Sequence, residues 1–252
     1  MVGEHEAFRA RGEAEVAAQG NDDEFLRQSS TWLQRAMEHR YSYHFEWLGR
    51  PIIQFPQDIV AVQELVSRVK PDLIIETGIA HGGSLVLSAS LLELNAVCGG
   101  PQDARVVGID IDIREHNRVA IEEHPLARRI TMVEGSSIDP AVIHSVRAMT
   151  KGRQNVLVCL DSDHSHQHVL AELEAYAPLV TVGSYCVVFD TIIEDLSEDY
   201  LERTGRAWSP GNSPGSAIAD FLLKEPRFVV DESVSQRLMI TVARGGYLKR
   251  VE

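Results

Sequence analysis

The sequence predicts an α/β fold: a mostly parallel, seven-stranded sheet with helices on both faces, preceded by a helical extension. Three observations carry that reading. From Pro71 onward, short apolar runs alternate with stretches of helical periodicity. The first run, residues 73–75, is continuously apolar, as in a strand covered on both faces. Two successive strands then end in an acid, Glu76 and Asp110, with a glycine-rich turn after the first.

Taken in order, residues 1–23 are polar and charged, suiting a frayed helix or a disordered arm. Asn21 or Asp22 suits the cap of a helix over 23–39, with Phe25, Leu26, Trp32, Leu33 and Met37 at helical spacing. Such a stripe serves docking or homodimer formation more often than ligand binding. Residues 41–50 are dense in aromatics, suited either to the core or to covering the mouth of a site. Residues 50–58 read as extended. Pro56 then opens a helix to about Val69, with Ile59, Val60, Val62, Leu65 and Val66 inward. A strand from Leu73 and a helix from Ser84 follow. Next come strand 105–110, helix 115–124, strand 130–134, helix 140–150, strand 155–160, helix 165–176 and strand 182–189.

Residues 191–212 break this rhythm, first acidic and then turn-rich; a loop of that length reads as a lid. Ser213 is placed as an N-cap with Pro214 at the first helical position. That helix carries Ala217, Ala219, Phe221, Leu222 and Leu223. Strands 227–231 and 237–243 are expected to close the sheet as an antiparallel hairpin. The organisation is a helical extension over 1–50 and one domain over 51–252.

A chain of 252 residues accommodates one large α/β domain with such an extension. The formal net charge of −13 opposes unassisted binding to nucleic acid, where phosphates must be neutralised by clustered Lys and Arg. The cysteines are three, an odd number, and Cys159 and Cys186 fall in apolar runs. Buried free thiols in a reducing compartment are expected. The N-terminus lacks an apolar signal core and no stretch has the apolar length that spans a bilayer. The expectation is a cytoplasmic protein without membrane insertion.

Glycines at 78, 82 and 83 let the backbone turn sharply and let a ligand approach. N–H groups at the start of the next helix would face that ligand. The dinucleotide fingerprint GxGxxG is excluded, because Ala80 stands where its second glycine belongs. Glu76, Thr77, Gly78, Gly82 and Ser84 form the candidate ligand loop, and His81 is expected to line the pocket. Ser136 and Ser137 suit either hydrogen bonds to an adenine ring or the cap of the next helix, beside Asp139 and Pro140.

The densest polar cluster, LDSDHSHQH, follows the apolar strand ending at Leu160. Ligands in open α/β sheets sit beyond the carboxyl ends of strands. Asp161 there can hold a hard cation while His164 accepts a proton from a substrate. Histidine suits that task because its pKa lies near neutrality. Asp163 reads as a first-turn acid of the following helix, and His166 and His168 as residues of a solvated face. Asp190 ends another apolar strand, so Asp161 and Asp190 can share one cation; the lesser alternative makes Asp190 the cap of the following turn. Mg²⁺ commonly takes one or two carboxylates and keeps water and substrate in its other positions. Glu194 and Asp195 either reach that metal or remain exposed lid charge. A rival set of Asp161, His164 and His166 would suit non-haem iron.

A strand ending acid-x-Gly, with a second acid at the end of the next strand, is the layout of class I S-adenosylmethionine methyltransferases with their Rossmann-like fold. The stretch from about Trp47 to Asp195 resembles the rhamnosyl O-methyltransferase/cephalosporin-hydroxylase-like family. That family includes antibiotic-pathway and bacterial sugar O-methyltransferases, among them enzymes acting on rhamnose and on mycobacterial mannosides. The matching residues are ETGIAHGGS, VVGIDID, EGSSID, LDSDHSH and the VVFD strand end. The resemblance implies S-adenosylmethionine, Mg²⁺ and a sugar or glycoside acceptor; a catechol-like acceptor makes the same demand on the ion. It implies Glu76 and Gly78 near the cofactor's amino-acid part, Asp110 on its ribose, Asp161 and Asp190 on the metal, and His164 as base. Asp161 also falls beside the cofactor. The family pattern has Glu-Asp where this chain has Phe189-Asp190. One carboxylate is therefore missing, to be replaced by Asp163, Glu194 or water.

Overall fold

The computed structural model describes residues 2–252, so Met1 lies outside the described residues. The extension is two helices, α1 (Val2–Gly20) and α2 (Asp23–Glu38). Asp22 caps α2 by accepting from the backbone N–H groups of Glu24 and Phe25. A short antiparallel pair follows, β1 (Phe45–Trp47) and β2 (Arg50–Ile52). The main domain runs α3 (Pro56–Val69), β3 (Leu73–Thr77), α4 (Gly83–Val97), β4 (Arg105–Asp110), α5 (Glu115–Glu122), β5 (Ile130–Glu134), α6 (Pro140–Met149), β6 (Val156–Leu160), α7 (His166–Tyr176) and β7 (Tyr185–Val188). It ends with α8 (Glu198–Thr204), α9 (Pro214–Lys224), β8 (Phe228–Val230), α10 (Glu232–Leu238) and β9 (Tyr247–Arg250).

The seven strands β3–β9 form one sheet in the order β5-β4-β3-β6-β7-β9-β8. Strands β3 to β7 pair in parallel, and β9 runs antiparallel between β7 and β8. Alternate residues supply the two faces. Ile74, Val106, Leu157 and Val187 meet α3, α4 and part of α2. Leu73, Ile75, Val107, Val158 and Val188 meet α6, α7 and α9. Both faces being covered is why these strands read as unbroken apolar runs.

The extension lies against this body. Leu33 is fully buried, and Trp32 packs edge-on against Tyr41 and Phe55. Part of the stripe on α2 therefore docks within its own chain, although Phe25 and Trp32 both stay exposed. Gln19 of α1 donates to the carbonyl oxygens of Gln236 and Arg237 in α10.

The structure corrects several expectations. Residues 237–243 are not a strand. The chain after β8 forms α10, with Val234 buried at its inner face, and only then β9. The reason is a buried carboxylate. Asp58 of α3 accepts from the Thr241 hydroxyl, the Tyr247 hydroxyl and the Val242 N–H. Thr241 and Val242 are thereby held by a side chain and not by a strand ladder. Val60, expected inward on its helix, faces solvent.

Gly78 has φ +88°, and a Cβ there would lie 1.9 Å from the carbonyl oxygen of Asp161. Gly99 has φ +81° with open space around its missing Cβ. Gly99→Ala should therefore cost only the left-handed backbone penalty, about 1–2 kcal/mol. Gly78→Ala should cost clearly more, because β3 and β6 must separate to admit the methyl group. Urea unfolding of the two variants checks the ranking, and equal losses would contradict it.

Candidate active site

The chain builds β3, β4 and β5 outward in one direction, then crosses back to lay β6 and β7 on the other side of β3. Such a reversal leaves a crevice at the carboxyl ends of the two inner strands. Gly78 follows β3, and Asp161 follows β6. The Asp161 N–H donates to the Thr77 carbonyl oxygen at 3.0 Å, so the two strand ends stay paired into the turn. Gly78 is thus demanded by the neighbouring chain, and that close seating brings Asp161 over the crevice.

Two clefts meet at Asp161. The first, about 450 Å³, lies over β3, β4 and β6 and is lined by Gly78, Asp110, Ser136, Ser137, Asp161 and His168. Asp110 accepts from the N–H groups of Ile79 at 2.8 Å and Ala80 at 3.3 Å, which fixes its carboxylate at the rim. Asp139 caps α6, accepting from the Ala141 N–H at 2.7 Å. Ser136 and Ser137 are therefore not needed as caps. The Ser137 hydroxyl lies 2.9 Å from His168 Nε2, and its carbonyl accepts from the Tyr176 hydroxyl at 2.6 Å.

His168 does not sit on a solvated face, as expected from sequence, but at this cleft. The fully buried Glu172 lies 3.4 Å behind it and raises its pKa; Glu172 also accepts from the Ser162 hydroxyl at 2.6 Å. His166 points elsewhere, 2.9 Å from the Ser216 hydroxyl and 3.3 Å from Asp220, and ties α7 to α9. That engagement leaves no facial iron set of Asp161, His164 and His166. Asp163 accepts from Ser165 N–H at 2.7 Å and precedes α7, so it is a turn former and not a first-turn acid.

The remaining loop residues are divided. Glu76 is buried and accepts from the hydroxyl of Ser88, with Ser84 also beside it; burial pushes its carboxyl up to about 7. Glu76, Thr77 and Ser84 line a narrow gap next to Gln54 and Phe189, adjoining both clefts through Asp161. Gly82 turns against Ile121. His81 is not among the residues lining either cleft; its carbonyl accepts from Arg50.

The second cleft, about 400 Å³, lies between the extension, β7 and the 191–212 segment. His164 Nε2 lies 3.3 Å from Asp190 Oδ2. Asp161, His164 and Asp190 each offer one ligand atom, all within 4.8 Å of one another. Enclosure by protein, then the charge of Asp190, hold the Asp161 carboxyl well above the ordinary range. Two carboxylates crowded in this way favour a shared cation. Asp190 sits at φ +55° and caps nothing with its side chain, so its backbone strain serves the position of its carboxylate. Glu194 is occupied instead by the Ser213 hydroxyl and the Gly211 N–H, and Asp195 by Arg244. Neither Asp163 nor Glu194 replaces the carboxylate lost at Phe189, which is itself buried.

Most of this cleft's wall carries no motif in the sequence. Arg40, Tyr43, Gln54, Tyr200, Arg206 and Trp208 line it. The aromatic density of 41–47 and the long loop were the available signals. Trp208 stands edge-on to His164 with ring centres 6.4 Å apart. Gln54 Oε1 is buried without a hydrogen-bond partner among the described residues.

The family model described as rhamnosyl O-methyltransferase/CmcI matches residues 39–251. The rhamnosyl O-methyltransferase of Mycobacterium leprae is 31% identical over 208 residues, covering 81% of this chain and 82% of that protein. The Mycobacterium tuberculosis (H37Rv) protein of the same name is 33% identical over 162 residues, which span 63% of this chain and 57% of that protein. Among solved structures, CmcI with Mg and SAM aligns with a TM-score of 0.56 at 19% identity, covering 83% of this chain and 78% of that one. That likeness is one of fold.

The raised pKa of Glu76 has a consequence for stability. An acid whose folded pKa lies above its unfolded value stabilises the fold fully below the unfolded pKa. That contribution is lost as pH rises through the folded pKa. For Glu76 the window runs from about 4.5 to about 7. Glu76→Gln should remove about 3 kcal/mol of pH-dependent change across it. Urea titrations at pH 4.5 and 7.5 check this; an unchanged slope would contradict it.

Proposed function

Because the chain belongs to the rhamnosyl O-methyltransferase/CmcI family, we propose that it transfers a methyl group from S-adenosylmethionine to a hydroxyl of a sugar or glycoside, assisted by Mg²⁺. The observation that carries this reading is the position of Asp161 between two clefts. One offers an acid and two serine hydroxyls to a nucleoside. The other offers a histidine beside two carboxylates to a reacting hydroxyl.

The residues present fit both groups. The first cleft falls within the size range of small-molecule sites, and Asp110 stands at its rim as an acceptor for ribose hydroxyls. Asp161 and Asp190 would hold the cation, with His164 beside them. When bound, the cofactor supplies an electrophilic methyl on a sulfonium, and Mg²⁺ makes a coordinated hydroxyl easier to deprotonate. The chain itself aligns the two reactants. His164 takes the hydroxyl proton at a ring nitrogen, and Asp190 orients the ring and stabilises the imidazolium that results. Phe189 and Trp208 restrict water at that corner.

The aromatic wall of Tyr43, Tyr200 and Trp208 favours a second acceptor class, a catechol-like phenol. Adjacent hydroxyls on a phenol and on a sugar would use the same residues.

His164→Ala should lower turnover about 10²–10⁴-fold while S-adenosylhomocysteine still binds. EDTA should abolish transfer and Mg²⁺ restore it. Radiolabelled methyl transfer to methyl rhamnoside and methyl mannoside reads both effects. An unaffected rate in His164→Ala removes the base, and activity that survives chelation removes the metal.

A further inference from the structure

The acceptor cleft is electrically divided. Its floor carries Asp161 and Asp190, both partly shielded from solvent, and its rim carries Arg40 and Arg206, both exposed. These are the four charged side chains lining it, apart from His164, among the described residues. The two arginines come from different elements. Arg40 sits between α2 and β1, at a left-handed backbone position that turns the chain. Arg206 follows α8, just past Gly205.

Both guanidinium groups are unspent. Among the described residues neither forms an ion pair, and neither side chain donates a hydrogen bond to the protein. By contrast Arg35 and Arg203 nearby both pair with Glu38. Each is instead ordered against an aromatic ring: Arg40 lies 4.2 Å from the centre of the Tyr43 ring, and Arg206 lies 5.8 Å from that of Trp208. Stacking of this kind holds a guanidinium in place without consuming its in-plane donors. In a chain of net charge −13, carboxylates are the abundant partners, yet none among the described residues pairs with these two. The floor does not require them either, since a divalent cation shared by Asp161 and Asp190 matches their charge.

We propose that the acceptor is anionic: a hydroxyl-bearing ring with a phosphate or carboxylate substituent that Arg40 and Arg206 hold at the cleft rim. This deepens the methyltransferase reading and rests on it. The reacting hydroxyl goes down to His164, the ring stacks on the wall of Trp208 and Tyr200, and the anionic group stays at the opening. A planar fork of donors suits both oxyanions. The cleft volume of about 400 Å³ suits a monosaccharide with one such substituent better than a long neutral glycan.

Calorimetry on the full chain with S-adenosylhomocysteine and Mg²⁺ tests this. The probes are mannose 1-phosphate, glucuronate and methyl α-mannoside. At least one charged probe should bind about tenfold or more tighter than the neutral one, as expected for one charge-assisted contact. Comparing the two charged probes tells phosphate from carboxylate. The double variant Arg40→Gln/Arg206→Gln should lose the preference, with its affinity for S-adenosylhomocysteine reporting that it folds. Equal binding of the neutral probe, no binding of either charged probe, or a preference that survives in the double variant each overturns the proposal. Methyl transfer to neutral glycosides without preference would leave the methyltransferase reading standing while this proposal falls. Failure to bind S-adenosylhomocysteine would instead sink the reading beneath it.

Discussion

The whole arrangement hangs on how closely two parallel strand ends approach. β3 and β6 remain paired past their ends, with Asp161 donating its N–H to Thr77, and only a residue without a Cβ fits at Gly78. That contact fixes Asp161 between the two clefts. It also forces its carboxyl into the field of Asp190 and Glu76, in an enclosed place where charge is costly. A fold selected for stability alone would place no second acid there. The crowding has a physical rationale if a cation and a reacting hydroxyl share the corner.

Much of the sheet was legible because its strands are covered on both faces. Unbroken apolar runs such as VLVCL admit few alternatives once flanked by helical periodicity. The end of the chain was not legible. FVVDESVSQRLMITVA offers two apolar clusters that resemble a hairpin. What decides against the second strand is Asp58, some 180 residues earlier, reaching Thr241 and Val242 from inside the core. A buried polar contact between distant segments leaves no local trace in the sequence.

The site was legible in part for the same reason. Acids at strand ends announce themselves, so the placement of Asp110, Asp161 and Asp190 followed from the strands. The roles of the histidines did not. His164, His166 and His168 share one short stretch, yet they face Asp190, Asp220 and Glu172 respectively. Which of them meets a cleft depends on where α7 begins and on α9 packing against it. The wall of the second cleft was least legible. Its residues come from the extension, from Gln54 and from the 191–212 segment; Gln34 donating to the Asp195 carbonyl oxygen and the Arg203–Glu38 ion pair join the extension to that segment.

The proposed chemistry requires the nucleoside and the cation to occupy opposite sides of one aspartate, Asp161. The most direct measurement is a crystal structure of the chain soaked with S-adenosylhomocysteine and Mg²⁺. The expected map has nucleoside density over Asp110 with its ribose at that carboxylate, and a cation ligated by Asp161 and Asp190 beside His164. Nucleoside density in the cleft lined by Trp208 and Tyr200, or a cation bound away from Asp161, would contradict it.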